Sequence, residues 1–163
     1  MFERRSQNDD EEPRAANRGL ARPPAIYLAA IVAGSVLHSV WPMPFASKWA
    51  MPFGLLIVLL AASLFIWSIK TLYSAHTPVQ GNRPTTAIVT VGPYRFSRNP
   101  IYLAFSAFQV GIAISTNSAW LLVTLVPAIA LMSVLVIPRE ERYLLMRFAE
   151  EYGRYRVSVR RWL

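Results

Sequence analysis

The chain has 163 residues and a mass of 18.4 kDa, the length of about one domain. Only 16% of it is charged and 54% is apolar, with a mean hydropathy of +0.32, whereas soluble domains carry roughly a quarter charged residues. All nine acidic residues lie at or before Glu12 or at or after Glu140, so 127 consecutive residues carry no carboxylate side chain. This excludes a disordered chain, argues against a water-soluble globule, and excludes carboxylate chemistry supplied by the middle alone. The absence of cysteine excludes disulfides, thiolate catalysis and Cys-ligated metals, and two histidines are too few for a typical zinc site. A net charge of +8 is accounted for by the cytosolic Lys and Arg of a membrane protein, without nucleic acid.

Residues 1–22 are polar, mixed in charge and without apolar periodicity, and read as a flexible cytosolic tail. The acidic run Asp9-Asp10-Glu11-Glu12 is incompatible with a secretory signal. Four apolar stretches follow, at about 25–41, 51–69, 101–114 and 119–137. A bilayer crossing takes about 20 residues. The second and fourth have that length, the first is marginal and the third short. The third and fourth are separated only by Ser115-Thr116-Asn117-Ser118, so 101–137 reads as a helical hairpin that crosses and returns. The expected fold is all-α and integral to the membrane, with four transmembrane helices and a single domain over 23–163. Ala30 and Gly34 form a small-xxx-small step on the first span that permits close packing; the oligomeric state stays open.

Of the 17 Lys and Arg residues, only Lys48 falls in the 41–50 and 115–118 turns. The positive-inside rule therefore places both termini and the 70–100 segment in the cytosol of an inner-membrane protein. Trp41, Trp49 and Trp120 then fall at the outer ends, as an aromatic belt would. The hairpin brings Arg98-Asn99-Pro100 and Pro138-Arg139-Glu140-Glu141 to the same membrane face, although 40 residues of sequence separate them.

After Pro138 a cytosolic interfacial helix is expected over about 139–152. Leu144, Leu145, Phe148 and Tyr152 share one stripe at 100° per residue, with Glu141 in its middle and Glu140 at its edge. Helix-dipole stabilisation accounts for Glu140 but not for a carboxylate on the apolar face, which calls for a partner or a function. Gly92-Pro93-Tyr94-Arg95 reads as a turn, and His76 as a loop or helix-end residue rather than a ligand. Arg95 and Arg98 can pair with lipid phosphates, and Tyr94 and Tyr102 can serve as interface anchors.

The string GPYRFSRNPIYL, residues 92–103, resembles the G-x-Y-x-x-x-R-H-P-x-Y signature of the isoprenylcysteine carboxyl methyltransferase and phospholipid methyltransferase superfamily. Residues 140–162, EERYLLMRFAEEYGRYRVSVRRW, are similar to its C-terminal E-E-x-x-L-x-x-x-F-G-x-x-Y-x-x-Y-x-x-x-V-x-R-W pattern. Asn99 stands in place of the family's His, and Ala149 in place of its Gly. The resemblance implies an S-adenosylmethionine-dependent methyltransferase whose acceptor, a lipid or another hydrophobic molecule, arrives from the bilayer. It implies cofactor contacts from Tyr94, Arg98, Asn99, Pro100, Tyr102, Glu140 and Glu141, with Arg98 and Glu141 as catalytic residues and no metal. A carboxylate suits the cofactor's ribose and ammonium, and a guanidinium (Arg98 or Arg95) its carboxylate. An aromatic wall from Tyr94, Tyr102 or Phe148 suits its adenine. The alternatives are a membrane reductase of the sterol-reductase type and a non-enzymatic membrane scaffold.

Overall fold

A computed structural model describes residues 23–77 and 85–163, apart from the Lys48 side chain; the expected tail over 1–22 lies outside the described residues. These residues are helical, without strands: α1 (Pro23–Val40), α2 (Met51–Ser74), α3 (Pro100–Ser115), α4 (Ala119–Leu131) and α5 (Ile137–Ser158). A π-helical segment, Met132–Val136, joins α4 to α5, and single 3₁₀ turns occupy Lys48–Ala50 and Gly92–Arg95. Proline sits in the first turn of α2 and of α3, where its missing N–H costs no hydrogen bond. Three helical runs are long and apolar enough to cross a membrane: α1, α2 and the continuous run Ala119–Ser158; α3 is apolar but shorter.

Helices α1 to α4 alternate in direction. At one end, the α1–α2 connection is pinned to the α3–α4 turn. Asn117, in the left-handed conformation that Asn tolerates (φ 50°), accepts at Oδ1 from the Phe45 and Ala46 amides at 2.8 and 2.7 Å. Trp120 Nε1 donates to the Trp41 carbonyl at 2.7 Å, so Trp41 and Trp120 meet at this end as expected. At the other end lie the start of α1, the end of α2, the start of α3 and the α4–α5 junction.

Packing is tightest between α2 and α3. A Cβ on Gly111 would stand 2.8 Å from the Val58 amide nitrogen and 2.9 Å from the Gly54 carbonyl oxygen. Gly34 does the same for α1 against α4, where a Cβ would lie 2.8 Å from Thr124 Oγ1. The small step on the first span is thus used within the chain. Polar links between helices are few and buried. Tyr27 shares a hydrogen bond with Ser106 Oγ (2.9 Å), and Gln109 Nε2 donates to the Leu121 carbonyl (2.9 Å). By contrast α1 and α2, though consecutive, make almost no direct contact; the Phe105 ring of α3 lies 5.4 Å from both Tyr27 and Phe65. Leu55, Leu56, Leu59, Leu60 and Val126 are exposed, an apolar girdle that lipid would cover better than water. Gly111→Val should cost about 1–3 kcal/mol through overpacking, read as a lower unfolding temperature in detergent. Gly153→Ala, with nothing within 4 Å of the new Cβ, is the neutral control. An unchanged transition in Gly111→Val would contradict the close α2–α3 crossing.

Two boundaries differ from expectation. The fourth apolar stretch does not stop at Pro138: the helix passes through it by widening to π geometry over 132–136, so α4 and α5 form one run. Helix α5 also continues to Ser158 rather than ending near 152. It kinks at Ala149, whose backbone (φ 19°, ψ −91°) is not helical.

Candidate functional site

Gly92 opens the turn before α3 with φ 61°, a left-handed conformation that glycine adopts without strain. Its backbone lies against α2, where a Cβ would meet Thr71 Oγ1 at 2.9 Å. The following turn buries Pro93 and Tyr94 and leaves Arg95 exposed, its guanidinium 6.0 Å from the Phe96 ring centre. Residues 97–99 are then held by the C-terminal segment. The Arg98 amide donates to the Arg160 carbonyl at 3.0 Å, and Ser97 Oγ and Asn99 Nδ2 donate to the Arg161 carbonyl at 3.3 and 2.9 Å. Tyr155 adds a fourth tie, its hydroxyl donating to the Tyr94 carbonyl at 2.7 Å.

This scaffold walls a cavity of about 220 Å³. Its apolar side comes from Pro23 and Pro24 of α1, Phe65, Ile69 and Leu72 of α2, and Ile88 and Val89 of the loop before Gly92. Its polar side holds every predicted site residue: Tyr94, Arg98, Asn99, Pro100, Tyr102, Glu140 and Glu141. Of the predicted apolar stripe, Leu144 and Tyr152 also reach the lining, and Tyr155 joins them. Arg95, Phe148 and His76 are not in the lining; His76 lies in the turn just past α2, with φ 52°.

The charges are arranged as a buried cluster. Glu141, on the apolar face as its spacing predicted, is 6% exposed. Arg161 grips both its oxygens, Nε to Oε1 at 3.1 Å and NH2 to Oε2 at 2.8 Å. Arg98 NH1 lies 3.0 Å from the same Oε1, as an ion pair without a directed hydrogen bond. Two guanidiniums and one carboxylate leave the cluster one net positive charge, with Arg98 and Glu141 in the lining and Arg161 behind them. The carboxylate of Glu140 is separate and accepts from the Tyr102 hydroxyl at 2.7 Å. Hydrogen bonding to Glu141 raises the pKa of Arg161, so it stays charged. Burial, and next the negative charge of Glu141, raises that of the Tyr152 hydroxyl. Burial likewise raises Tyr94 and Tyr155, so all three phenols remain neutral at physiological pH. Arg98 Nε and the Tyr94 hydroxyl are buried without a protein hydrogen-bond partner. Leaving buried donors unmade costs stability, and both of these residues line the cavity.

Arg161, Tyr152 and Tyr155 were not among the predicted site residues. The signal for Arg161 was present, because it is the arginine of the V-x-R-W pattern.

The family described as phospholipid methyltransferase matches the chain over residues 49–151. Among curated proteins, the nickel-cobalt-cadmium resistance protein NccN of Alcaligenes xylosoxydans xylosoxydans is 33% identical over 131 residues, 80% of this chain and 56% of that protein. The cobalt-zinc-cadmium resistance protein CzcN of Cupriavidus metallidurans is 34% identical over 119 residues, 72% of this chain and 51% of that protein. The chain thus spans about half the length of these relatives. No solved structure matches it.

Proposed function

From the premise that the chain belongs to the phospholipid methyltransferase family, we propose that it is an integral-membrane, S-adenosylmethionine-dependent enzyme that methylates a lipid or another hydrophobic acceptor at the cytosolic face. The observation that carries this reading is the two-signed polar wall of one cavity, with Arg98 and Glu141 in the lining, Arg161 paired to Glu141 from behind, and a separate carboxylate at Glu140. The amino-acid end of S-adenosylmethionine carries a carboxylate and an ammonium, and such a wall suits both. Arg98, with Nε unspent, pairs with the carboxylate; Glu140 takes the ammonium or the ribose diol. Tyr94 and Tyr102 supply aromatic surface for adenine. When bound, the cofactor supplies a methyl group on a sulfonium, open to in-line displacement by the acceptor. The protein's share is positioning, charge complementarity and exclusion of water by the apolar side of the cavity. Glu141, with both oxygens taken by arginines, sets the guanidinium geometry in this reading.

The proposed topology has four crossings, α3 completing the set despite its 16 residues, with both termini cytosolic. Exposed Arg139, Arg142, Arg147, Arg154 and Arg156 on α5 would lie among lipid headgroups at that face. Any link to the metal resistance in the relatives' names would run through the methylated product.

The test is calorimetry of detergent-purified protein with S-adenosylmethionine, followed by transfer of labelled methyl into the lipid-extractable fraction of membranes. Saturable binding and label in that fraction are expected. Binding of a nicotinamide dinucleotide in its place would instead support a reductase, and binding of neither a scaffold.

A further inference from the structure

The helix crosses Pro138 at a cost that falls on one carbonyl. In the π segment the Ile137 amide donates to the Met132 carbonyl, five residues back. In that register the next donor, for the Ser133 carbonyl, would be residue 138, and proline has no N–H. Arg161 NH1 donates to the Ser133 carbonyl instead, at 3.4 Å. The same guanidinium binds both oxygens of Glu141, and the Arg161 carbonyl accepts from Ser97 and Asn99. One residue therefore joins the π segment, the N-terminal part of α5 and the loop that carries Arg98. It does so from outside the cavity, whose lining does not include Arg161.

We propose that Arg161 is a positioning residue of the cavity, acting through Glu141 to keep Arg98 available to the carboxylate of S-adenosylmethionine. This rests on reading the cavity as the site for that cofactor. Arg161 binds both Glu141 oxygens, whereas Arg98 reaches Glu141 through NH1 and keeps Nε unspent. Without Arg161, Glu141 has only Arg98 to neutralise it and draws that guanidinium into a two-pronged pair, withdrawing its donors from the cavity. Lysine cannot replace it, since an ammonium lacks the planar fork that spans Glu141 and Ser133 together.

The experiment measures cofactor affinity by calorimetry, KM and kcat by methyl transfer, and unfolding temperature in detergent for Arg161→Lys, Arg161→Gln, Glu141→Gln and the Arg161→Gln/Glu141→Gln double variant. Each Arg161 variant should weaken cofactor binding by roughly tenfold or more, the loss attached to a charge-assisted hydrogen bond. KM for the cofactor should rise by more than kcat falls; a merely structural role would reduce active protein, and hence apparent kcat, with KM unchanged. The double variant should bind no more weakly than Glu141→Gln alone, because the effect of Arg161 passes through that carboxylate. Additive losses, or wild-type affinity in Arg161→Gln, overturn the proposal. Should Glu141→Gln fail to fold, Glu141→Asp takes its place in the cycle. If the wild-type protein binds no S-adenosylmethionine, the functional reading fails, and the positioning link is decided by unfolding temperature: non-additive shifts at 141 and 161 retain it, additive ones overturn it.

Discussion

Arg98→Lys is expected to insert and fold normally while losing roughly 10- to 150-fold in methyl transfer, the equivalent of one charge-assisted hydrogen bond of about 1.5–3 kcal/mol. Lysine retains the charge, so it can still pair with Glu141 and would still satisfy a lipid phosphate. What it lacks is a second donor edge, and one ammonium cannot hold Glu141 and a ligand carboxylate in the geometry of a planar guanidinium. Arg95→Lys is the matched control, three residues away, exposed and outside the cavity. The measurement is transfer of labelled methyl at matched expression. Equal activity in the two variants would reduce Arg98 to a structural partner of Glu141.

Glu141→Gln should have the larger effect on the fold. Its side chain is 8% exposed between two arginines, and removing one member of a buried ion pair typically costs about 3–5 kcal/mol. Glutamine can still accept one hydrogen bond from Arg161, so the lower end of that range is expected, with cofactor binding weakened as well. Glu150→Gln provides the contrast on the same helix. Glu150 is 86% exposed, its pairing with Arg154 spans 3.6 Å, and exposed pairs of this kind contribute at most about 1 kcal/mol. Unfolding temperature and cofactor affinity that are the same in both variants would show Glu141 to be an ordinary helix carboxylate.

Much of the candidate site was legible because topology alone brings the starts of α3 and α5 together, and helical spacing alone turns Glu141 inward. Arg161 was harder to see. It follows the end of α5 at Ser158, in a segment too short for any periodicity, and its partners at Glu141 and Ser133 are fixed only by the chain folding back. The unbroken α4–α5 helix was hidden for another reason. Proline is a common stop signal, yet the helix passes through Pro138 by way of the π segment, and Arg161 donates to the Ser133 carbonyl left without an amide. Ala149 was also hidden: a residue with good helix propensity occupies a non-helical kink. Asn99 kept a role that its residue type permits, as a donor to the Arg161 carbonyl. Gly34 could have served an interface between chains or one within the chain; the fold uses it against α4.

The near-absence of contact between α1 and α2 bears on how the proposed acceptor would be found. Both helices reach the cavity, through Pro23 and Pro24 on one and Phe65 and Ile69 on the other, so in the proposed reading the seam between them is where an acceptor from the bilayer would enter. An acceptor held by its hydrocarbon tail could pass along that seam without leaving its leaflet. The search would then be two-dimensional. The quantity that saturates the enzyme would be the acceptor's mole fraction among neighbouring lipids, and diluting the membranes in buffer would leave the rate per enzyme unchanged, whereas diluting the acceptor with inert lipid would lower it.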